Sequence, residues 1–209
     1  MKQTFTIGAS TIPGGVIMPQ LMPELLKRKP DLALKLDITN SRETFERVKS
    51  GDLEIGIIGT RYDSNTVNYL TIQTGDELVL IVPKDHPLAE KAIATVEDLR
   101  QQNFVCREPG SGTRAAYEQA LAQAGLPFDE MNIVAEIGNT DGVIQAVEAG
   151  LGVSIVSKVA VQESTRCGNL EIVNLAFPIS RDFYLITHKT RPLSPQAADI
   201  RSLIQELAG

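Results

Sequence analysis

The residues best suited to chemistry in this chain are Arg107-Glu108-Pro109-Gly110-Ser111-Gly112-Thr113-Arg114. A strand-like run, Phe104-Val105-Cys106, precedes them, and a helix-like run from Ala115 to Leu121 follows. Pro and two Gly permit a tight turn, and Ser111 and Thr113 are good helix N-cap residues. Such a turn brings unpaired backbone N–H groups, two hydroxyls and a positive dipole end to one place at the top of a strand. That combination holds a small anion or a carboxylate. A capped turn with nothing bound accounts equally well for the segment taken alone.

The chain builds such turns repeatedly. Ser10-Thr11, Gly59-Thr60, Ser111-Gly112-Thr113 and Gly138-Asn139-Thr140 each close an apolar run. In open α/β sheets, ligands bind beyond the carboxyl ends of strands, where helix N-termini gather. Brought together, these residues supply hydroxyl and backbone donors with almost no acceptor-only carboxylates. The expected ligand-binding set is Ser10, Thr11, Gly59, Thr60, Ser111, Gly112, Thr113, Asn139 and Thr140. Each could be a helix cap and nothing more; jointly they favour a ligand cleft.

Enzyme signatures are poor. Gly110-Ser111-Gly112 is not the GxSxG elbow, and Pro109–Thr113 lacks the lysine of a phosphate-binding P-loop. The acidic residues show no spacing typical of a metal cage or an acid/base pair, and Glu108 and Asp141 read as solvated loop carboxylates. No catalytic residue, metal or cofactor is expected. His86 and His188 are read as structural, and Cys106 and Cys167 as buried thiols in a reducing cytoplasm.

To position the turns, the chain alternates apolar runs with helix-period segments, an α/β pattern with largely parallel strands. Expected strands are Thr4–Ala9, Ala33–Thr39, Leu53–Ile58, Thr66–Thr74, Glu77–Val82, Phe104–Cys106, Ile133–Ile137, Val153–Val156, Leu170–Asn174 and Phe183–Thr187. The first helix opens at Ser10-Thr11-Ile12-Pro13, with Pro19 and Pro23 expected to kink or tighten it. Others cover Ser41–Ser50, Val96–Gln101, Ala115–Ala124, Gly142–Ala149 and Ser194–Leu207. Two segments echo each other: Arg47 to Ile58 and Ala146 to Val156 each run from a helix end through a Gly stop to a buried strand. The matched order favours two related lobes.

With 209 residues, 43% of them hydrophobic and 22% charged, the composition suits a soluble globular protein of one large domain or two small lobes. No apolar run approaches the roughly 18–20 residues of a membrane span, and the opening Met-Lys-Gln-Thr-Phe does not read as a signal peptide. A cytoplasmic location is expected. The net charge is −6 with no dense Lys/Arg cluster, which opposes nucleic-acid binding by this chain itself.

Several of these segments together resemble the effector-binding domain of LysR-type transcriptional regulators. They are Ile7-Gly8-Ala9-Ser10-Thr11 with Met18-Pro19, Gly51-Asp52-Leu53-Glu54-Ile55-Gly56-Ile57, Val82-Pro83-Lys84-Asp85-His86-Pro87-Leu88, and Ala149-Gly150-Leu151-Gly152-Val153. They span essentially the whole chain in the family's order. The resemblance implies a type 2 periplasmic-binding-protein fold, with two Rossmann-like lobes, a central cleft holding the effector, and two crossovers. It implies crossovers near 82–84 and 183–184, lobe one as 1–82 plus 186–209, and lobe two as 84–183. It also implies a homodimer or tetramer, and DNA binding through an N-terminal winged helix-turn-helix that this chain lacks. The spelling Arg-Glu-Pro-Gly-Ser-Gly-Thr-Arg looks most like sulfur-assimilation and selenium-associated members, which suggests a sulfur- or selenium-related oxyanion. The alternatives are a transporter's solute-binding protein of the same fold, or a transferase or dehydratase domain on it.

Overall fold

The computed structural model describes residues 3–208. The chain divides into two compact units: residues 1–75 with 182–209, and residues 76–181. The boundary falls inside two strands, β4 (Val67–Pro83) and β10 (Ile179–His188).

In the first unit, β1 (Gln3–Ser10) pairs in parallel with β2 (Leu32–Thr39) and β3 (Ile55–Ile58). β10 runs antiparallel to β3, giving the order β2-β1-β3-β10 with β4 next to β10. A π-helical turn, Pro13–Ile17, leads into α1 (Met18–Arg28). Prolines 19 and 23 lack the N–H that would bond the preceding turn, yet α1 continues through Pro23 to Arg28. The irregularity sits earlier: the Met18 N–H reaches back to the Pro13 carbonyl and widens the turn there. Leu34, Leu36 and Ile38 alternate along β2 as expected, but none is buried, and Ile38 is 48% exposed.

α2 (Ser41–Ser50) follows β2, and α7 (Pro195–Ala208) closes the unit beside α1. Phe45, Val48, Leu53, Ile58, Val67 and Ile186 form a core between α2 and the sheet.

In the second unit, the later half of β4 pairs antiparallel with β8 (Ser154–Ser157) and β9 (Leu170–Leu175), and β5 (Ile93–Ala94) is parallel to β9. β6 (Asn103–Arg107) pairs in parallel with β7 (Asn132–Ile137) and is bridged to the start of β8 through Phe104 and Val153. Helices α3 (Val96–Arg100), α4 (Gly112–Gln123), α5 (Thr140–Glu148) and α6 (Gln162–Arg166) complete it. Two apolar clusters form its core, one around Phe104, Tyr117 and Leu121, the other around Val105, Val143 and Val147.

The echo between segments has a structural counterpart. α2 and α5 are each capped by an asparagine, Asn40 accepting from the Glu43 N–H and Asn139 from the Gly142 N–H. Each ends near a glycine in the left-handed region, Gly51 at φ +89° and Gly150 at φ +80°, where a side chain would be strained. Each then leads to a buried strand, β3 or β8.

One expectation is corrected. The segment read as two strands, Thr66–Thr74 and Glu77–Val82, is the single strand β4. Thr74-Gly75-Asp76-Glu77 has turn composition, and Gly75 does sit at φ +73°. Its N–H nevertheless donates to Asp182 Oδ1 (3.1 Å), and β10 alongside carries the ladder through.

Candidate functional site

The second unit assembles its polar strand ends around Arg107, the last residue of β6. This side chain is only 2% exposed. Its Nε and Nη2 donate to the two carboxylate oxygens of Glu108 at 2.7 and 2.9 Å, and Nη1 donates to Thr140 Oγ1 at 2.7 Å. The guanidinium thus ties the turn after β6 to the first residue of α5. The Arg107 N–H also reaches the Tyr117 hydroxyl (3.4 Å), and burial pushes that phenol well above its ordinary value.

The turn itself behaves as its composition predicts. Gly110 takes φ +90°, the Ser111 N–H bonds the Glu108 carbonyl, and Ser111 Oγ accepts from the Arg114 N–H to cap α4. Arg114 braces the turn from outside. It donates to the Arg107 carbonyl, pairs with Glu118 and Glu136, and lies 4.4 Å from the Phe128 ring centroid. Thr113, on the first turn of α4, is 3% exposed, and among the described residues its hydroxyl makes no hydrogen bond.

A second buried cation lies in the same unit. Arg181 Nε donates to Asp76 Oδ2 (2.9 Å), and Ser157 Oγ donates to Asp76 Oδ1 (2.6 Å). Burial, aided by the charge of Arg107, holds the Arg181 guanidinium below its usual range against the pull of Asp76. Each buried guanidinium is therefore matched by an internal carboxylate, Glu108 for Arg107 and Asp76 for Arg181.

In the first unit, Ser10 ends β1 and Thr11 opens the helical stretch leading to α1. Ser10 is 5% exposed, and its hydroxyl makes no hydrogen bond among the described residues. Gly59 follows β3, but its N–H is directed at Ser41 Oγ (3.4 Å), so that donor is already engaged; Thr60 is half-buried beside it.

Beyond Thr60 lies Arg61, whose guanidinium carbon sits 5.0 and 5.3 Å from the ring centroids of Tyr69 and Tyr184. The Tyr69 hydroxyl donates to the Tyr62 carbonyl and accepts the Tyr62 N–H, and burial pushes the Tyr62 phenol up to about 12. A larger cavity of about 1030 Å³ opens at the other end of this sheet, among Thr4, Arg28, Lys29, Glu54 and Ser194. Its cations are engaged: Arg28 pairs with Glu24 and Glu206, and Lys29 with Asp199.

The structure thus groups Ser111, Gly112, Thr113, Asn139 and Thr140 in one unit, and Ser10, Thr11, Gly59 and Thr60 in the other. Ser111 and Asn139 act as caps, Thr140 as an acceptor for Arg107, and Ser10 and Thr113 keep uncommitted hydroxyls. Sequence reading put Arg107 in the leading turn without giving it a role, and it missed Asp76, Arg181 and Arg61. The available signal for Arg107 was a charge ending the apolar run Phe104-Val105-Cys106, a position that buries it. Cys167 is exposed, against expectation, because it follows the short surface helix α6, whereas Cys106 is buried within β6. Both histidines lock turns through Nδ1, His86 accepting from the Leu88 N–H and His188 from those of Thr190 and Arg191. Among the described residues no cluster of three metal-ligating side chains occurs, and no helix is long and apolar enough to cross a membrane.

Residues 1–209 match the family described as LysR substrate binding domain. The chain belongs to that family. This LysR-type effector-binding domain is 36% identical over 91% of its length to an uncharacterized HTH-type transcriptional regulator of Methanocaldococcus jannaschii. It spans 64% of that relative, so it matches less than two thirds of the longer protein. Solved structures share its fold, among them two whose bound ligands are named. The CcmR regulatory domain of Synechocystis in complex with 2-PG has a TM-score of 0.87 at 23% identity, with 98% of this chain and 97% of that one covered. The effector binding domain of QuiR in complex with shikimate has a TM-score of 0.88 at 18% identity, with coverage of 100% and 98%. The LysR domain thus has the type 2 periplasmic-binding-protein-like α/β fold that the sequence implied.

Proposed function

We propose that this LysR domain senses a small anion or carboxylate through its polar strand ends, as the regulatory part of a longer transcription factor. The observation that carries the reading is the pair of uncommitted hydroxyls on Ser10 and Thr113. Each hydroxyl belongs to a residue no more than 5% exposed yet keeps some access to solvent, and each stands where a helix begins and its positive dipole end points outward. Such a hydroxyl in such a place is suited to receive a ligand oxygen. The ligands named for the CcmR and QuiR domains, 2-PG and shikimate, both carry carboxylates, which agrees with this chemistry.

The reading assigns binding to Ser10, Thr11, Thr60, Ser111, Gly112, Thr113 and Thr140, with Gly59 and Asn139 shaping the turns. It assigns no catalytic step, since no acid/base pair accompanies these donors. DNA contact belongs to a separate segment of the whole regulator; the −6 charge of this chain supports that division. The whole regulator is placed in the cytoplasm with its DNA, as a homodimer or tetramer. The exposed Ile38 on β2 is one apolar position available for pairing. The effector class covers the sulfur or selenium oxyanions suggested by the Arg107–Arg114 spelling and extends to phosphorylated carboxylates.

A thermal-shift screen tests the reading with sulfate, thiosulfate, selenate, O-acetylserine, shikimate and 2-phosphoglycolate against chloride of equal ionic strength. A ligand that binds only the folded state adds about 2.7 kcal/mol at 100 times its Kd. Protection by at least one acid is the expected result. No protection by any of them refutes it.

A further inference from the structure

The two buried arginines of the second unit do not supply the charge that an anionic effector needs. Arg107 spends its planar fork on Glu108, and Arg181 is matched by Asp76. An anion brought to Ser111–Thr113 therefore meets helix N-termini and hydroxyls in a locally neutral setting. Among cations adjoining the expected strand-end residues, Arg61 is different.

Arg61 follows Thr60 directly at the end of β3 and is exposed. Among the described residues its guanidinium makes no hydrogen bond and no ion pair. Two aromatic rings nonetheless bias its position. The Tyr69 and Tyr184 rings under it lie 5.8 Å apart and edge to face at 88°. Tyr69 is itself pinned to the Tyr62 backbone by two hydrogen bonds. Contact with aromatic rings attracts a guanidinium without using any of its N–H groups as hydrogen-bond donors. Arg61 is thus a guanidinium drawn toward one place by two rings, with its donors open. It lines a pocket of about 540 Å³ with Tyr62, Asp63, Ser64, Asn68 and Tyr69. Ser64 Oγ and Thr66 Oγ1 bond each other across the same loop (2.9 Å), which holds its shape. Asp63 is the one carboxylate on that wall, and no ion pair joins it to Arg61.

We propose that Arg61 is the cationic anchor of the effector, receiving its carboxylate or phosphate group in a bidentate contact on the Tyr69–Tyr184 platform. The assignment rests on the anion-sensing reading above and names the residue that gives it charge selectivity. Asp63 limits affinity for multiply charged anions by repulsion, and so sets the upper bound on ligand charge.

Calorimetric titration of the domain with 2-phosphoglycolate, glycolate and inorganic phosphate tests this. Three variants accompany the wild type: Arg61→Gln, Arg61→Lys and Asp63→Asn. Arg61→Gln should weaken 2-phosphoglycolate at least tenfold while leaving the ligand-free Tm within about a degree, because the side chain is exposed. Arg61→Lys should recover only part of the loss, since an ammonium cannot reproduce the fork. Asp63→Asn should tighten 2-phosphoglycolate a few-fold. Glycolate and phosphate, each holding one of the two anionic groups, show which group Arg61 takes by which of them loses affinity in Arg61→Gln. Wild-type binding that Arg61→Gln leaves unchanged overturns the anchor and spares the anion-sensing reading. A wild type that binds none of these anions, nor any in the thermal screen, overturns both.

Discussion

Ser111 and Thr113 lie two residues apart on one turn, yet the structure gives them separable roles, and two substitutions separate them. Ser111 Oγ accepts the Arg114 N–H at the start of α4, so Ser111→Ala removes a cap. Caps of this kind are worth about 1 kcal/mol, and for a chain of this size that lowers Tm by roughly 2–4 °C. Thr113 makes no side-chain hydrogen bond among the described residues, so Thr113→Val exchanges an uncommitted hydroxyl for a methyl of nearly the same shape. Ligand-free stability should then hold or rise slightly.

Affinity should move the other way. Loss of a hydrogen bond to a charged ligand costs roughly 1.5–3 kcal/mol, which is roughly a 10- to 150-fold rise in Kd at 1.4 kcal/mol per decade. Calorimetry with the best anion of the thermal screen, beside denaturant melts of both variants, reads the two effects apart. If Thr113→Val destabilises the free domain as much as Ser111→Ala and leaves the Kd unchanged, Thr113 belongs to the cap and the reasoning fails.

Other perturbations have equally definite outcomes. Asp76→Ala leaves Arg181 buried without its carboxylate, so unfolding should cost about 3–5 kcal/mol less, while a joint change of both residues to apolar ones of similar volume should recover most of that in denaturant melts. Asp98, held near pKa 2 by Lys91 and the Thr95 capping box against an ordinary 3.8, adds stability that is fully present above pH 4 and lost as pH falls toward 2. The difference in stability between wild type and Asp98→Asn should therefore shrink across that window. Ile38→Glu on the open edge of β2 should shift any self-associated form toward monomer, seen as a lower mass by light scattering at micromolar concentration.

Much of the fold is legible from local signals because local physics sets it. α2 spans Ser41–Ser50 as expected, since Asn40 caps one end and Gly51 stops the other. The turn before α4 forms for the reasons its composition suggests. Contacts between distant residues are invisible at that level. Arg107 meets Thr140 from 33 positions away, and Arg181 meets Asp76 from 105. No spacing rule links such pairs, and burial, which only the fold decides, is what makes their charges matter. β4 fails for the opposite reason: Gly75-Asp76 carries a strong local turn signal, and the pairing of β10 beside it overrides that signal.

The threading of the chain through its units has a consequence for synthesis. Residues 76–181 are contiguous, and their first and last members are joined by the Asp76–Arg181 ion pair. That unit contains none of residues 182–209. The first unit cannot be completed without them, because β10 sits between β3 and β4 in its strand order, and both β10 and α7 come from the end of the chain. Until residues 182–209 emerge, the edge of β3 and the apolar residues that meet Ile186 stand open. Domains generally fold as units; here the contiguous unit is the middle of the chain, and the other is assembled from both sides of it. A chain cut before residue 182 would keep every residue of the second unit but deprive the first of most of β10 and all of α7, leaving an unpaired strand edge of the kind that invites aggregation.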